Sequence, residues 1–566
     1  MTSQDATALN RGTLPFATVG AVPDRMLAKT VLWTETFDGP VAGGWTTADD
    51  GRETGGVAPR PGVGGAPPPP APWGGAGPRA PPPPVPGGGP RAAPAAGPWI
   101  GWTRTTRDEW VDAFHGDQRR TFTRASRGLM VVEGSPSRPR RGQRAWRADL
   151  VSPSVPLTPG ARCELAFDSH YRGGRGPAPL VFIRFDTGER RDLLSYRHLL
   201  PDPSDGRRRV VSRRERLRFQ VPADARAAVV TWRCPATATL RYWAIDNVEV
   251  SEPLPDLAPG ALPLVTVDTI SDIQGTKGNR RLPAVISGLR ALHRAEPARS
   301  DAHALVLNGD LVPFSSQHSW RALQEALNQV PYDGQVLATP GNHDFYGFAP
   351  QGTKRRFLEQ RALIQGDDPQ LAGFDDVWQE YVIDGTWPIV MVGSEHYNMI
   401  ARRAGGPFVT FSRRQLDWLD ARLSHWEARG VPVLLHSHQV LPNSVGGTYT
   451  TFSRRDYGPH EEEFVAILSA HRHLVLYTSH THWPITSNDW AVQYRAGAVH
   501  PIPVVSTGAI TTAYGPSGNT GESPLPGEHT SGVRTKIYDD RVRVEAWSFA
   551  AAEPRLIRRV DFPRAL

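Results

Sequence analysis

Apolar residues recur in two different rhythms along this chain, and the rhythm changes near residue 260. Before that point come short apolar runs separated by turn residues: KTVLWTETFDG (29–39), RGLMVVEG (127–134), RCELAFDSHY (162–171), APLVFIRFDTG (178–188), ERLRFQVP (215–222), AAVVTWRC (227–234) and LRYWAIDNVEV (240–250). Strands this closely spaced, with no helical period between them, predict a β-sandwich. Beyond a Pro-rich stretch at 251–263 the pattern alternates strand with amphipathic helix, which predicts an α/β domain. LPLVTVDTI (262–270), HALVLNGD (303–310), GQVLATPGNHD (334–344), WPIVMVGSE (387–395), VPVLLHSH (431–438) and LVLYTSHTH (474–482) carry its strands. Residues 281–295, 319–330, 412–430 and 461–473 carry its helices, and 533–549 reads as a terminal hairpin.

At 566 residues the chain exceeds what one hydrophobic core serves, so two domains are expected. The 55 Gly and 54 Pro concentrate in 51–97, where PPPP occurs twice. A segment so poor in apolar side chains cannot bury enough surface to fold, and it predicts a disordered insertion. The division is therefore a tail at 1–28, a β-sandwich accessory domain at 29–250 carrying that insertion, a linker at 251–263, and an α/β domain at 264–566. Trp33, Trp45, Trp102, Trp110, Trp146, Trp232 and Trp243 of the first half are read as core or rim packing ahead of a sugar-stacking platform.

Of the net charge of +7, residues 1–260 supply 35 Lys+Arg against 26 Asp+Glu, and nearly all of that excess is Arg. A coding bias toward Arg accounts for it, so no specific nucleic-acid binding is expected. Histidine is skewed the other way, three before residue 260 and fifteen after, which points to metal chemistry downstream. The only cysteines, Cys163 and Cys234, exclude a thiolate zinc site and leave their mutual pairing open. No apolar run reaches the roughly 18 residues a transmembrane helix needs. The N-terminus shows no basic start followed by an apolar segment, so the sequence as it stands predicts a cytoplasmic protein, or a secreted one if the true start lies upstream.

Each strand of the second half ends in a polar cluster, where open α/β sheets place their ligands. The clusters are Ser271-Asp272-Ile273-Gln274-Gly275, Asn308-Gly309-Asp310, Gly341-Asn342-His343-Asp344, His436-Ser437-His438 and Ser479-His480-Thr481-His482. Together they resemble the calcineurin-like metallophosphoesterase signature, whose blocks run D-x-H, G-D, G-N-H-D/E, H and G-H-x-H in that order. QLDWL at 415–419 is similar to a helix common in that family. The resemblance spans residues 262–550 and implies a four-layer fold, a β-sandwich flanked by helices. The first half resembles jelly-roll, galactose-binding-like modules, in which an early ETFDG-like strand pairs with a closing YWAIDNVEV-like one.

The resemblance implies two divalent ions sharing Asp310 as a bridge. Asp272, Gln274 and His482 would complete one shell and Asn342, His436 and His480 the other. His438, two residues on along the same strand, is the competitor to His436. His343 would contact the phosphoryl oxygen or protonate the leaving alkoxide, oriented by Asp344. Gln274 stands where the family usually has His, which favours harder ions such as Mn²⁺ or Fe²⁺ over Zn²⁺. Ser479 replaces Gly and is tolerable if its φ is negative. Purple acid phosphatases carry a Tyr three residues after the bridging Asp; Pro313 occupies that position, so a ferric–phenolate site is unsupported. The expectation is a phosphodiesterase acting on a small phosphate ester through hydroxide held between the metals, with phosphomonoesterase activity as the alternative. A binding protein with a degenerate metal site is the reading from another class, and a glycan or cell-envelope ligand is expected for the sandwich.

Overall fold

The protein is described by a computed structural model, in which placement is defined for residues 101–113, 128–133, 147–174, 178–198, 208–235, 240–253, 256–347, 350–397, 409–442, 444–448, 456–487, 489–494, 500–517 and 521–564, with short stretches between 24 and 54 and single positions between 119 and 125. Most of the expected tail and nearly all of the expected insertion lie outside the described residues, but Asp24–Arg25 of the tail pairs in parallel with Val560–Asp561 and so belongs to a sheet of the C-terminal half. In the insertion, Arg52–Thr54 pairs with Thr46–Asp49 as a strand, so the first residues of that segment are not structureless.

The N-terminal half forms two antiparallel sheets. Strands Arg162–Gly174, Arg208–Gln220 and Leu240–Pro253 dominate one, and Leu180–Phe185, Ala227–Pro235 and Arg147–Val151 the other. Alternate side chains of both, among them Leu165, Phe167, Trp243, Ile183 and Trp232, meet in one apolar cluster, as a period of two requires. Trp45, Trp102, Trp110, Trp232 and Trp243 are all buried, which agrees with packing as their role. Cys163 and Cys234 are buried and unbridged. A helix that the apolar pattern did not show, Arg107–Asp112, starts at a Thr106–Glu109 capping box and lays Trp110 over the outer face of one sheet.

Elements of the C-terminal half are labelled here in chain order. β1 (Val265–Ile270), α1 (Thr276–Ala295), β2 (His303–Asn308), α2 (Gln317–Gln329), β3 (Gln335–Thr339) and α3 (Pro350–Gln365) come first. β4 (Gln379–Ile383), β5 (Trp387–Met391), α4 (Arg413–Glu427), β6 (Val433–His436), α5 (Glu461–Ala470), β7 (Leu474–Thr478), β8 (Ala491–Tyr494) and β9 (Ile502–Ser506) follow. A small hairpin of β10 (Tyr514–Ser517) and β11 (Gly521–Pro524) precedes β12 (Ser531–Ile537), β13 (Arg541–Ser548) and β14 (Arg555–Pro563).

Two mixed sheets result, one running β14-β13-β12-β1-β2-β3 with Asp24–Arg25 added at the β14 edge, and the other β4-β5-β6-β7-β9-β8. Within them β1, β2 and β3 are mutually parallel, as are β5, β6, β7 and β9. Val265, Val267, Ala304 and Val306 of the first sheet share a cluster with Leu434, Val475 and Tyr477 of the second, so these positions form the layer between the sheets. Their neighbours Leu305, Leu307, Leu435 and Leu476 pack instead with Leu282, Val285, Leu289 and Trp320 of α1 and α2 and with Leu419 and Phe464 of α4 and α5. Strands buried on both faces explain the continuous apolar runs in the sequence. A charged pair is sealed in beside α1: Asp268 of β1 takes a bidentate contact from Arg534 of β12 at 2.9 and 3.1 Å, and both are fully buried. No helix among the described residues is long and apolar enough to cross a membrane.

Candidate metal centre

The parallel strands β1, β2 and β3 of one sheet and β6 and β7 of the other deliver their carboxyl ends to one place. Just past β1, Asp272 and Gln274 leave the sheet before the N-terminus of α1; Asp310 follows β2; Asn342 and His343 follow β3; His438 follows β6; His480 and His482 follow β7. Asp272, Asp310, His480 and His482 hold φ of 52°, 53°, 63° and 56°. Left-handed backbone at a residue other than glycine costs about 1–3 kcal/mol and survives where the surroundings over-determine it. Two glycines are needed at close quarters. A Cβ on Gly309 would stand 2.6 Å from the His438 ring, and one on Gly341 would stand 2.2 Å from Asp310 Oδ1.

Two donor groups share a residue here. Asp310, His438 and His480 bring ligand atoms within 4.8 Å of one another, and so do Asp272, Asp310 and His482. Asp310 belongs to both. His438 Nε2 lies 3.3 Å from Asp310 Oδ1, and His482 Nε2 lies 2.9 Å from Asp272 Oδ1. The ring tautomers are set from behind: Nδ1 of His438 donates to the Asn308 carbonyl at 2.9 Å, and Nδ1 of His482 to the Thr512 carbonyl at 2.9 Å. A carbonyl can only accept, so Nε2 is the nitrogen each ring turns toward the carboxylates.

The amides complete the set. Asn342 gives its Nδ2 to the Tyr346 hydroxyl at 2.9 Å, which leaves its Oδ1 buried with no hydrogen-bond partner. Gln274 lies between His482 and Asp310. In one orientation its nitrogen meets His482 Nε2 at 3.4 Å, so its oxygen faces Asp310 Oδ2 and the Asp310 carbonyl at 3.2 and 2.9 Å; turned over, the nitrogen donates to both. An orphaned amide oxygen and two carboxylates, with the Gln274 amide beside them, fit hard divalent cations.

Electrostatics point the same way. Burial would raise the Asp310 carboxyl, but His438 and then His343 hold it well below the usual range, so it is ionised. Burial would lower His438, yet Asp310 pushes it up to about 10, and Asp272 likewise raises His482 against burial. The carboxylates thus demand positive charge at this point, whether from protons or from metal.

Two expected roles are corrected by these contacts. His436 is not at the centre: its Nε2 meets Thr269 Oγ1 at 3.0 Å, its Nδ1 the Leu434 carbonyl at 3.2 Å, and its ring stacks on Tyr477 at 4.7 Å. It belongs to the layer between the sheets, and burial pushes it down to about 3, so it is neutral. β6 ends at His436, and Ser437 turns the chain so that His438 takes the place beside Asp310. Asp344 likewise does not orient His343. Its Oδ1 accepts the N–H groups of Leu311 and Val312 at 2.9 and 3.1 Å, and its Oδ2 that of Gly341 at 2.8 Å, so it clips the Asp310 loop to the Asn342 loop. Burial first, then Asp310, push its own carboxyl up to about 8. The ring of His343 is steered by the Pro313 carbonyl, which accepts from Nδ1 at 3.0 Å and leaves Nε2 3.9 Å from Asp310 Oδ2. Adjacent residues of a tight turn point apart, which sequence adjacency concealed.

Ser479 is absent from the residues with positive φ, so its side chain costs no backbone strain there. Its hydroxyl donates to the Asn308 carbonyl and accepts from Asn308 Nδ2, both at 2.8 Å, tying the ends of β2 and β7 together. Asp456, which no pattern singled out, places Oδ2 3.2 Å from His480 Nε2 and is buried.

Residues 265–484 match the family model described as calcineurin-like phosphoesterase, so the C-terminal half carries that family's domain. Among solved structures, a dimetal phosphatase from Danio rerio is similar at 16% identity over 54% of this chain and 100% of its own, with a TM-score of 0.37. GAP50 of Plasmodium, an anchor in the inner membrane complex, is similar at 10% identity over 52% of this chain and 88% of its own, with a TM-score of 0.32. A family 16 carbohydrate-binding module is similar at 13% identity over 22% of this chain and 77% of its own, with a TM-score of 0.16. No curated protein matches the chain.

Proposed function

We propose that this calcineurin-like phosphoesterase domain is a two-metal phosphodiesterase. The observation that carries the reading is the pair of donor groups that overlap in Asp310. Asp272, Asp310, His482 and Gln274 would hold one ion, and Asp310, Asn342, His438 and His480 the other. When bound, such ions lower the pKa of water and offset phosphoryl charge. The mixture of carboxylate, amide and imidazole donors favours Mn²⁺ or Fe²⁺ over Zn²⁺.

The chain's own residues supply orientation and a proton. Tyr346 fixes the Asn342 amide so that its oxygen is the donor atom, and backbone carbonyls fix the His438 and His482 tautomers. His343 is about one-third exposed at the rim, with Nδ1 occupied by Pro313, so Nε2 is the atom that can contact a phosphoryl oxygen or give a proton to a leaving alkoxide. Mn²⁺-loaded protein should hydrolyse bis-p-nitrophenyl phosphate in preference to p-nitrophenyl phosphate. Preference for the monoester would make the domain a monoesterase, and turnover of neither would make it a metal- or phosphate-binding domain.

For the N-terminal half we propose a jelly-roll-like β-sandwich in an accessory role. A glycan or cell-envelope ligand there would be met by groups other than the five buried tryptophans, and binding of the full chain to a glycan panel tests it.

A further inference from the structure

We propose that Asp456 is a positioning residue for the metal centre: it holds His480 by Nε2 and so makes Nδ1 the nitrogen that His480 offers to the ion it shares with Asp310 and His438. The inference rests on the two-metal reading above.

His480 is tethered differently from its neighbours. His438, His482 and His343 each donate Nδ1–H to a backbone carbonyl, those of Asn308, Thr512 and Pro313. At His480 the contact is with a carboxylate and at the other nitrogen: Asp456 Oδ2 lies 3.2 Å from Nε2. Asp456 is 1% exposed, and an ionised carboxylate so buried needs a charged or hydrogen-bonding partner. It is not one of the groups whose ligand atoms converge with Asp310, His438 and His480, so it stands outside that donor set.

The fold gives Asp456 little freedom. Its carbonyl accepts the Val409 N–H at 2.8 Å. The next residue, Tyr457, is fully buried, stacks on Phe464 at 4.8 Å, shares a 2.8 Å hydrogen bond with Ser437 Oγ and donates to the Gln439 carbonyl at 3.1 Å. Ser437 and Gln439 flank His438. The segment that brings Asp456 to His480 is thereby fastened to the turn that delivers the neighbouring ligand. A carboxylate behind a ligating imidazole fixes its tautomer and raises its basicity, and losing such a partner commonly weakens metal binding about 10–100-fold.

The test uses the full chain with Mn²⁺ as the probe. Calorimetric titration and chelator competition give the affinity of each ion, and electron paramagnetic resonance distinguishes a spin-coupled pair from an isolated ion. Asp456→Asn keeps the shape and removes the charge. It should weaken one ion about 10–100-fold and leave the other unchanged, so that at limiting Mn²⁺ the coupled signal gives way to that of single ions. Unchanged affinity for both ions, with or without a lower melting temperature of the metal-free protein, overturns the proposal. A wild-type protein that binds fewer than two ions would instead sink the two-metal reading. A second measurement needs no variant: in ¹⁵N-histidine-labelled wild type loaded with ¹¹³Cd²⁺, the cadmium coupling of His480 should fall on Nδ1, and coupling on Nε2 overturns the assignment.

Discussion

His438 sets its Nε2 3.3 Å from Asp310 Oδ1, while His436, two residues earlier, spends its own Nε2 on Thr269 Oγ1 at 3.0 Å. One ring faces the candidate metal centre and the other lies between the sheets. His438→Ala should therefore strip one of two Mn²⁺ ions and abolish turnover. His436→Gln should keep both ions, and its cost should appear as lowered stability, about 1–3 kcal/mol for a buried partner left unsatisfied. Metal content by mass spectrometry beside denaturant midpoints checks both. Loss of metal from His436→Gln at full folding would reverse the assignment.

His343 and Asp344 should separate in the same way. His343→Ala is expected to retain metal and slow turnover about 10²–10⁴-fold, the scale for a positioned acid, with a smaller defect on nitrophenyl esters than on alkyl esters because a nitrophenolate needs little protonation. Asp344→Ala frees three backbone N–H groups, so it should lower stability and metal affinity together, with a defect that does not depend on the leaving group. A leaving-group-dependent defect in Asp344→Ala would restore it to a role in proton transfer.

Gly341 is outside the positive-φ set, so Gly341→Ala should cost little in backbone conformation. Its Cβ would stand 2.2 Å from Asp310 Oδ1 and 2.3 Å from the Asp310 backbone nitrogen, so both that carboxylate and the loop carrying it must move to make room. Metal affinity should fall about 10–100-fold, the scale for disturbing the support of a ligand, while circular dichroism stays that of the wild type. Wild-type affinity would show that Asp310 has more room than the structure gives it.

The Asp268–Arg534 pair sets an acid limit. Burial would raise Asp268, but Arg534 and His293 hold it well below the usual carboxylate range. A depressed carboxyl contributes stability that is fully present above its unfolded pKa of about 3.9 and is lost as pH falls toward its folded value. Asp268→Asn leaves buried Arg534 only Glu296, 3.9 Å away, as a counter-charge, and should destabilise the protein by about 3–5 kcal/mol near neutral pH. The gap from wild type should narrow below about pH 4. Denaturant midpoints across pH 3–7 measure it, and a gap that widens in acid would contradict the sign.

The sequence by itself determined the change of rhythm near residue 260, the alternation of strands and helices after it, and the five polar clusters at strand ends. These are written in local pattern: apolar runs buried on both faces, followed at once by Asp, Asn and His. Strands such as β4, β8 and β9 and the helix α3 lacked so clear a period and emerged only from their pairing or packing. Tertiary structure alone decided which histidine of His436-Ser437-His438 meets Asp310, because a period of two puts both on one face only while the strand continues, and β6 stops at His436. It also decided that Asp344 clips backbone and that Pro313, unremarkable as a residue type, steers His343 through its carbonyl. Asp456 had no signal at all. It reaches His480 across 24 residues of chain because buried Tyr457 is fastened beside His438, and a contact made by folding one loop over another leaves no period in the sequence.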